Sequence, residues 1–158
     1  MSERYEHVAC FVDESEASRE ALRHARRLRD QLGAGRLSIV NLAAPPVYFG
    51  VYYPPVATAP PETPGWLTNL ETEAPGAEVV FIDSFSAYPP AEAVRWASSQ
   101  GVDLVVAASH RGIFHRMVLG SFAGYLAYHA KCPVTLIPPS TSGIDPGATS
   151  REERSGPR

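Results

Sequence analysis

Five short apolar runs, set apart by stretches with helical spacing, constrain this chain more than any other feature. They are His7–Val12 (HVACFV), Leu37–Leu42 (LSIVNL), Glu78–Ile82 (EVVFI), Val102–Ala107 (VDLVVA) and Pro133–Ile137 (PVTLI). Each is compact and mostly apolar, several are rich in β-branched or aromatic residues, and all read as buried strands. Strands that are apolar on both faces belong to a parallel sheet covered by helices on either side.

The intervening segments supply those helices. Asp13 and Ser15 are good N-cap types, and Glu16 stands three after Asp13. Ala17, Ala21, Ala25, Leu28 and Leu32 then form one apolar stripe. Arg19, Arg23, Arg26, Arg27 and Arg29 mostly cover other faces and read as solvated surface. Gly33 and Gly35 stop that helix. A short helix is predicted over Gly65–Glu73. Pro89-Pro90 opens a longer one through Gln100, with Ala93, Val94, Trp96 and Ala97 facing inward. The last starts near Gly120 and runs to about Ala130, with Phe122, Tyr125, Leu126 and His129 at helical spacing.

One stretch breaks the alternation. Seven prolines (45, 46, 54, 55, 60, 61 and 64) fall between Pro45 and Pro64, so this is a loop or extended segment. Tyr48, Phe49, Tyr52 and Tyr53 stud it. Aromatic residues in such a loop are predicted to pack back on the domain, with a lid or a partner surface as the sharper alternative. Pro139–Arg158 is rich in Pro, Gly, Ser and charge and is predicted to be a disordered tail. The fold expected is therefore α/β: a single domain over residues 1–138, with a doubly wound, five-stranded, mostly parallel sheet in the order 3-2-1-4-5. Ligands bind such sheets beyond the carboxyl ends of the strands, where the order reverses. That puts Asp13 beside the loop following Ala107-Ala108.

Composition excludes some functions. A net charge of −3, from 17 acidic and 14 basic residues, leaves no footprint for nucleic acid over the whole chain. No apolar run reaches the roughly 18 residues of a membrane span. The charged start, MSERYEHVAC, is unlike a signal peptide, and a cytoplasmic protein is expected. Cys10 and Cys132 lie in apolar surroundings without CxxC spacing and read as buried reduced thiols. His7, His24, His115 and His129 lack ligand spacing with a Cys or acidic partner. Ser109 and His110 are adjacent, which does not make a nucleophile–base pair, and no GxSxG elbow or carboxylate pair stands out. No catalytic residue and no metal ligand is predicted.

Four stretches carry a family resemblance: VDESEASREAL after the first strand, PPAEAV opening a helix, GVDLVVAASHRG, and MVLGSFAGYLAYHAKCPVTLI at the end. Together, over roughly residues 5–138, they resemble the universal stress protein family. The resemblance implies a doubly wound α/β fold, a dimer made by pairing last strands (here Val134–Pro138), and one of two ligand habits. One group binds ATP through Gly, two residues, Gly, nine residues, Gly and Ser or Thr; the other lacks the pattern.

Gly120-Ser121 fits the final pair. Counting back puts Ala107 and His110 where the first two glycines belong, with Gly112 two residues late. Those glycines allow backbone N–H groups to approach phosphates closely. By resemblance, Asp13 meets the adenosine part, Leu42 lines the adenine pocket and Ser121 meets the terminal phosphates. The candidate ligand positions are Val12, Asp13, Leu42, Ala107, His110, Gly112, Gly120, Ser121 and Phe122. The reading adopted is a dimeric stress-adaptation module that binds and regulates, with His110 filling the pocket and ATP binding weakened or lost. The alternative is a nucleotide switch that keeps ATP or AMP, with Mg²⁺, using His110, Arg111 and Arg116 as side-chain donors. A weak ATPase is the third reading. A protein partner is a further possibility at the Pro- and Tyr-rich loop.

Overall fold

β1 (His7–Phe11) is the central strand, and every residue in it is buried. The chain continues through α1 (Glu16–Leu32), β2 (Arg36–Ala43) and a pair of two-residue strands, β3 (Val47–Tyr48) and β4 (Val51–Tyr52). Then follow α2 (Gly65–Asn69), which runs into a 3-10 turn at Leu70–Thr72, and β5 (Glu78–Asp83). α3 (Pro89–Ser99), β6 (Leu104–Ala108), α4 (Ser121–His129) and β7 (Val134–Ile137) complete it. The structure is a computed structural model that describes residues 4–43, 47–48, 51–52, 62–83, 88–109 and 121–139. Most of the Pro-rich stretch, and the predicted tail beyond Pro139, lie outside the described residues.

The five main strands form one all-parallel sheet in the order β5-β2-β1-β6-β7. Renumbered by the main strands alone, this is the expected 3-2-1-4-5. The sheet is wholly, not mostly, parallel. β3 and β4 pair antiparallel with each other, apart from it; the repeated Val-Tyr at 47–48 and 51–52 is their only trace in the sequence.

Two apolar layers sandwich the sheet. On one face Val8, Cys10, Leu37, Ile39 and Val106 pack with Ala21, Leu22 and Ala25 of α1 and with Leu67 and Leu70. On the other, Ala9, Phe11, Val40, Val105 and Ala107 pack with Ala93 and Ala97 of α3 and with Leu126 of α4. Alternation along each strand splits its side chains between the two layers. Each fully buried leucine or isoleucine among them stabilises the fold by about 1.5–3 kcal/mol. Burial pushes the Cys10 thiol up, so it stays protonated. Cys132, also a free thiol, is only half-buried.

Local details depart from the sequence reading in informative ways. The stripe on α1 ends early: Leu32 is exposed, while Leu22, outside the predicted stripe, is fully buried. Gly33 sits at φ +66°, a left-handed cap in which its N–H bonds the Arg29 carbonyl. The arginines of α1 are not idle surface. Arg26 and Arg29 donate to the carbonyls of Glu73 and Pro75, and Arg19 pairs with the Glu73 carboxylate. On α4 the inward residues are Ala123 and Leu126; His129 is exposed and stacks on Tyr125 at 4.0 Å.

Candidate functional site

The site is built where β1 and β6 end side by side. The β1–β2 ladder runs one residue past β1, with the Val12 N–H donating to the Val40 carbonyl at 2.8 Å. Asp13 then turns the chain into α1. Its Oδ1 accepts the Ser15 N–H at 2.9 Å and the Ser18 hydroxyl at 2.8 Å, while the Asp13 N–H donates to Ser18 Oγ at 3.0 Å. Ser15 Oγ caps the helix by accepting the Ser18 N–H at 3.2 Å. Of the two predicted caps, Ser15 is the N-cap, and Asp13 braces the turn before it. Its carboxylate is held at the cleft edge by Ser15 and Ser18.

Beyond these tips lies a cleft of about 280 Å³. Phe11, Leu42, Pro89, Ala107 and Phe122 give it an apolar wall. The Phe11 ring meets Phe122 and Trp96 edge to face, at 5.8 and 6.1 Å between centroids. Such edge-to-face pairs stabilise the floor by about 0.5–1.5 kcal/mol each beyond their area burial. The polar members are Asp13, Ser18, Asn41 and Ser121. Ser121 is the first residue of α4, where helix N–H groups lack intrahelical partners.

Six of the nine predicted positions therefore share one cleft: Val12, Asp13, Leu42, Ala107, Ser121 and Phe122. The other three, His110, Gly112 and Gly120, lie outside the described residues, as do Arg111 and Arg116. Ala107 is buried, pairs in register with Phe11, and turns its methyl into the cleft wall. One residue past β6, the Ser109 N–H and hydroxyl both donate to the Ile137 carbonyl, at 2.9 and 3.3 Å. The chain thus leaves the sheet pinned to β7.

Sequence reading missed Phe11, Ser18, Asn41, Pro89, Ala108 and Ala123. A signal existed for two. Asn41 is a polar side chain near the end of a strand otherwise apolar from Ile39, and Ser18 sits one helical turn past Ser15. Among the described residues, no group of three or more His, Cys, Asp or Glu side chains is gathered closely enough to hold a metal.

The fold has solved relatives. The universal stress protein UspA from Lactobacillus plantarum superposes with a TM-score of 0.61 at 20% identity, over 86% of this chain and 99% of that one. A universal stress protein from Archaeoglobus fulgidus in complex with dAMP gives 0.56 at 16%, over 84% and 98%. A family protein from Arabidopsis thaliana with AMP bound gives 0.56 at 12%, over 87% and 94%. No curated protein matches the sequence significantly. The sequence model of the universal stress protein family matches residues 4–138, most of the length, and this chain belongs to that family.

Proposed function

We propose that this protein is a binding and regulatory module of stress adaptation. It takes an adenine nucleotide in the strand-tip cleft, acts by occupancy and not by turnover, and holds ATP more weakly than AMP. The observation that carries the reading is the cleft itself: apolar walls for a purine face, with Asp13 at one edge and the Ser121 hydroxyl at a helix start on another. Helix starts attract phosphate. The dAMP and AMP complexes of two relatives support the ligand class. A volume of about 280 Å³ lies at the small end of ligand sites, roughly 300–1,000 Å³. It suits a nucleoside monophosphate better than a triphosphate with its Mg²⁺. Ala107 and His110 in place of two glycines support the same preference, since side-chain bulk keeps backbone amides from phosphates.

Binding without turnover fits the polar inventory of the cleft. Asp13 Oδ1 already accepts two hydrogen bonds, and the Ser18 hydroxyl is committed to Asp13. The reading extends to a cytoplasmic homodimer formed through Val134–Pro138, because among the described residues β7 is paired on one side only, with β6. It extends also to a protein partner at the Pro- and Tyr-rich stretch. Among the described residues, no helix is long and apolar enough to cross a membrane.

Calorimetry is the test. AMP should bind with Kd below about 100 μM, near −5.5 kcal/mol, and ATP–Mg²⁺ more weakly. Replacing both departures together, Ala107→Gly with His110→Gly, should raise ATP affinity about tenfold. No heat with either nucleotide would overturn the proposal. A single monomeric species in sedimentation at micromolar concentration would overturn the dimer.

A further inference from the structure

The geometry points to Asn41 as a specificity-determining residue that reads the exocyclic amino group of the bound base and so selects 6-amino over 6-oxo purines. This rests on the adenine-nucleotide reading above and goes one step further, to the atom that makes the choice.

Three observations carry it. Asn41 lines the cleft beside Leu42. Its Nδ2 donates to the Val12 carbonyl at 2.8 Å, a bond between the tips of β2 and β1. That bond settles the orientation of the amide: a carbonyl only accepts, so a flipped amide would set two acceptors face to face. The acceptor oxygen must therefore point away from Val12.

The third observation concerns that oxygen. Among the described residues, Asn41 Oδ1 accepts no hydrogen bond, and no buried side-chain N or O atom lacks a partner. Oδ1 is thus open, not sealed in the core. An amide clamped at its nitrogen and open at its oxygen is a fixed acceptor at the mouth of an apolar cleft. Adenine offers N6–H donors to such an acceptor. Hypoxanthine and guanine offer O6, a second acceptor, and the amide cannot turn to suit them without breaking the Val12 bond. Sites built around one hydrogen bond discriminate against ligands that leave the buried group unpaired.

The experiment compares AMP with IMP by calorimetry, first on the natural protein and then on Asn41→Leu. AMP should bind the natural protein at least ~10-fold more tightly than IMP, and the ratio should fall to within about twofold in the variant. Purine riboside 5′-monophosphate, with hydrogen at position 6, should fall between the two on the natural protein; this ligand series reads the contact even if the variant folds poorly. Equal affinities for AMP and IMP on the natural protein would overturn the assignment while leaving the nucleotide reading intact. So would an AMP/IMP ratio that survives in a variant of unchanged melting temperature. Failure of both nucleotides to bind would overturn the nucleotide reading, and the assignment to Asn41 would fall with it.

Discussion

The two ends of the sheet are made from the same five strands and treat polar groups in opposite ways. At the amino ends they are bonded to one another. Asp103 Oδ2 accepts the Glu6 and His7 N–H groups at 2.8 and 2.9 Å, tying the entry to β1 to the entry to β6. His7 is 4% exposed; its ring nitrogens contact Ser38 Oγ at 2.8 Å and the Gln100 carbonyl at 3.2 Å. Ser38 reaches the Glu78 carboxylate, which also holds the Arg36 guanidinium at 2.6 Å. At the carboxyl ends the walls are apolar and the few polar groups frame an opening. Cavity size alone would mislead. A larger hollow of about 590 Å³ lies at the amino end, lined by Arg4, Glu6, His7, Arg36 and Asp103. Most of its polar groups already have partners, so it offers a ligand little. The two hollows therefore differ less in volume than in lining: charged and mutually bonded at the amino end, mostly apolar at the carboxyl end.

That contrast can be broken by substitution. Asp103→Ala should cost the most, about 3 kcal/mol, because two backbone N–H groups lose a charged acceptor, each bond worth about 1.5–3 kcal/mol. Urea unfolding would read the loss, while AMP affinity of the folded protein should stay the same. At the other end, Ser121→Ala should weaken AMP about tenfold, or 1.4 kcal/mol, and move stability by less than about 0.5 kcal/mol. If Asp103→Ala weakens AMP as strongly, the two ends are coupled and the division fails.

The amino-end cluster should also respond to pH. Burial holds the His7 imidazole below its ordinary value of 6.5, and the Arg36 charge adds to this; the Gln100 carbonyl, Glu78 and Asp103 pull the other way, without prevailing. A folded pKa below the unfolded one means the unfolded chain binds the proton more readily. His7 therefore contributes stability in full above about pH 6.5, and loses it as pH falls through that value toward the lowered folded one. Melting temperature against pH should show this slope, and His7→Gln should flatten it. Arg36→Ala should have the smallest effect, below about 1 kcal/mol, since its ion pair with Glu78 is exposed.

The sheet was readable because each strand is a compact apolar run with turn residues at its ends, and parallel order follows from alternation with helices. Four of the six predicted positions that share the cleft, Val12, Asp13, Leu42 and Ala107, follow from strand order, which fixes the strand tips; Ser121 and Phe122 came from the family pattern at the start of α4. Asn41 and Ser18 left a trace in the sequence, but their hydrogen bonds did not, because these depend on Val12 and Asp13, across a strand pair and around a turn. Leu32 was misjudged because it lies in the final turn of α1, beyond the layer that would cover it. Arg19, Arg23, Arg26 and Arg27 lie on the surface as read; what the sequence could not show is that Arg26 and Arg29 reach backbone carbonyls at 73 and 75, which no side-chain pattern announces.

Those arginines have a bearing on how this chain could diverge. The long connection from β2 to β5 leaves the sheet at Ala43 and returns through a segment already fastened to α1 by Arg26 and Arg29. Its two flanks are thus held, one by the sheet and the other by α1. Residues between the anchors can lengthen, shorten or change composition while strand register stays untouched. Evolution thus has a tract of sequence where new recognition can be tried at little risk to the fold.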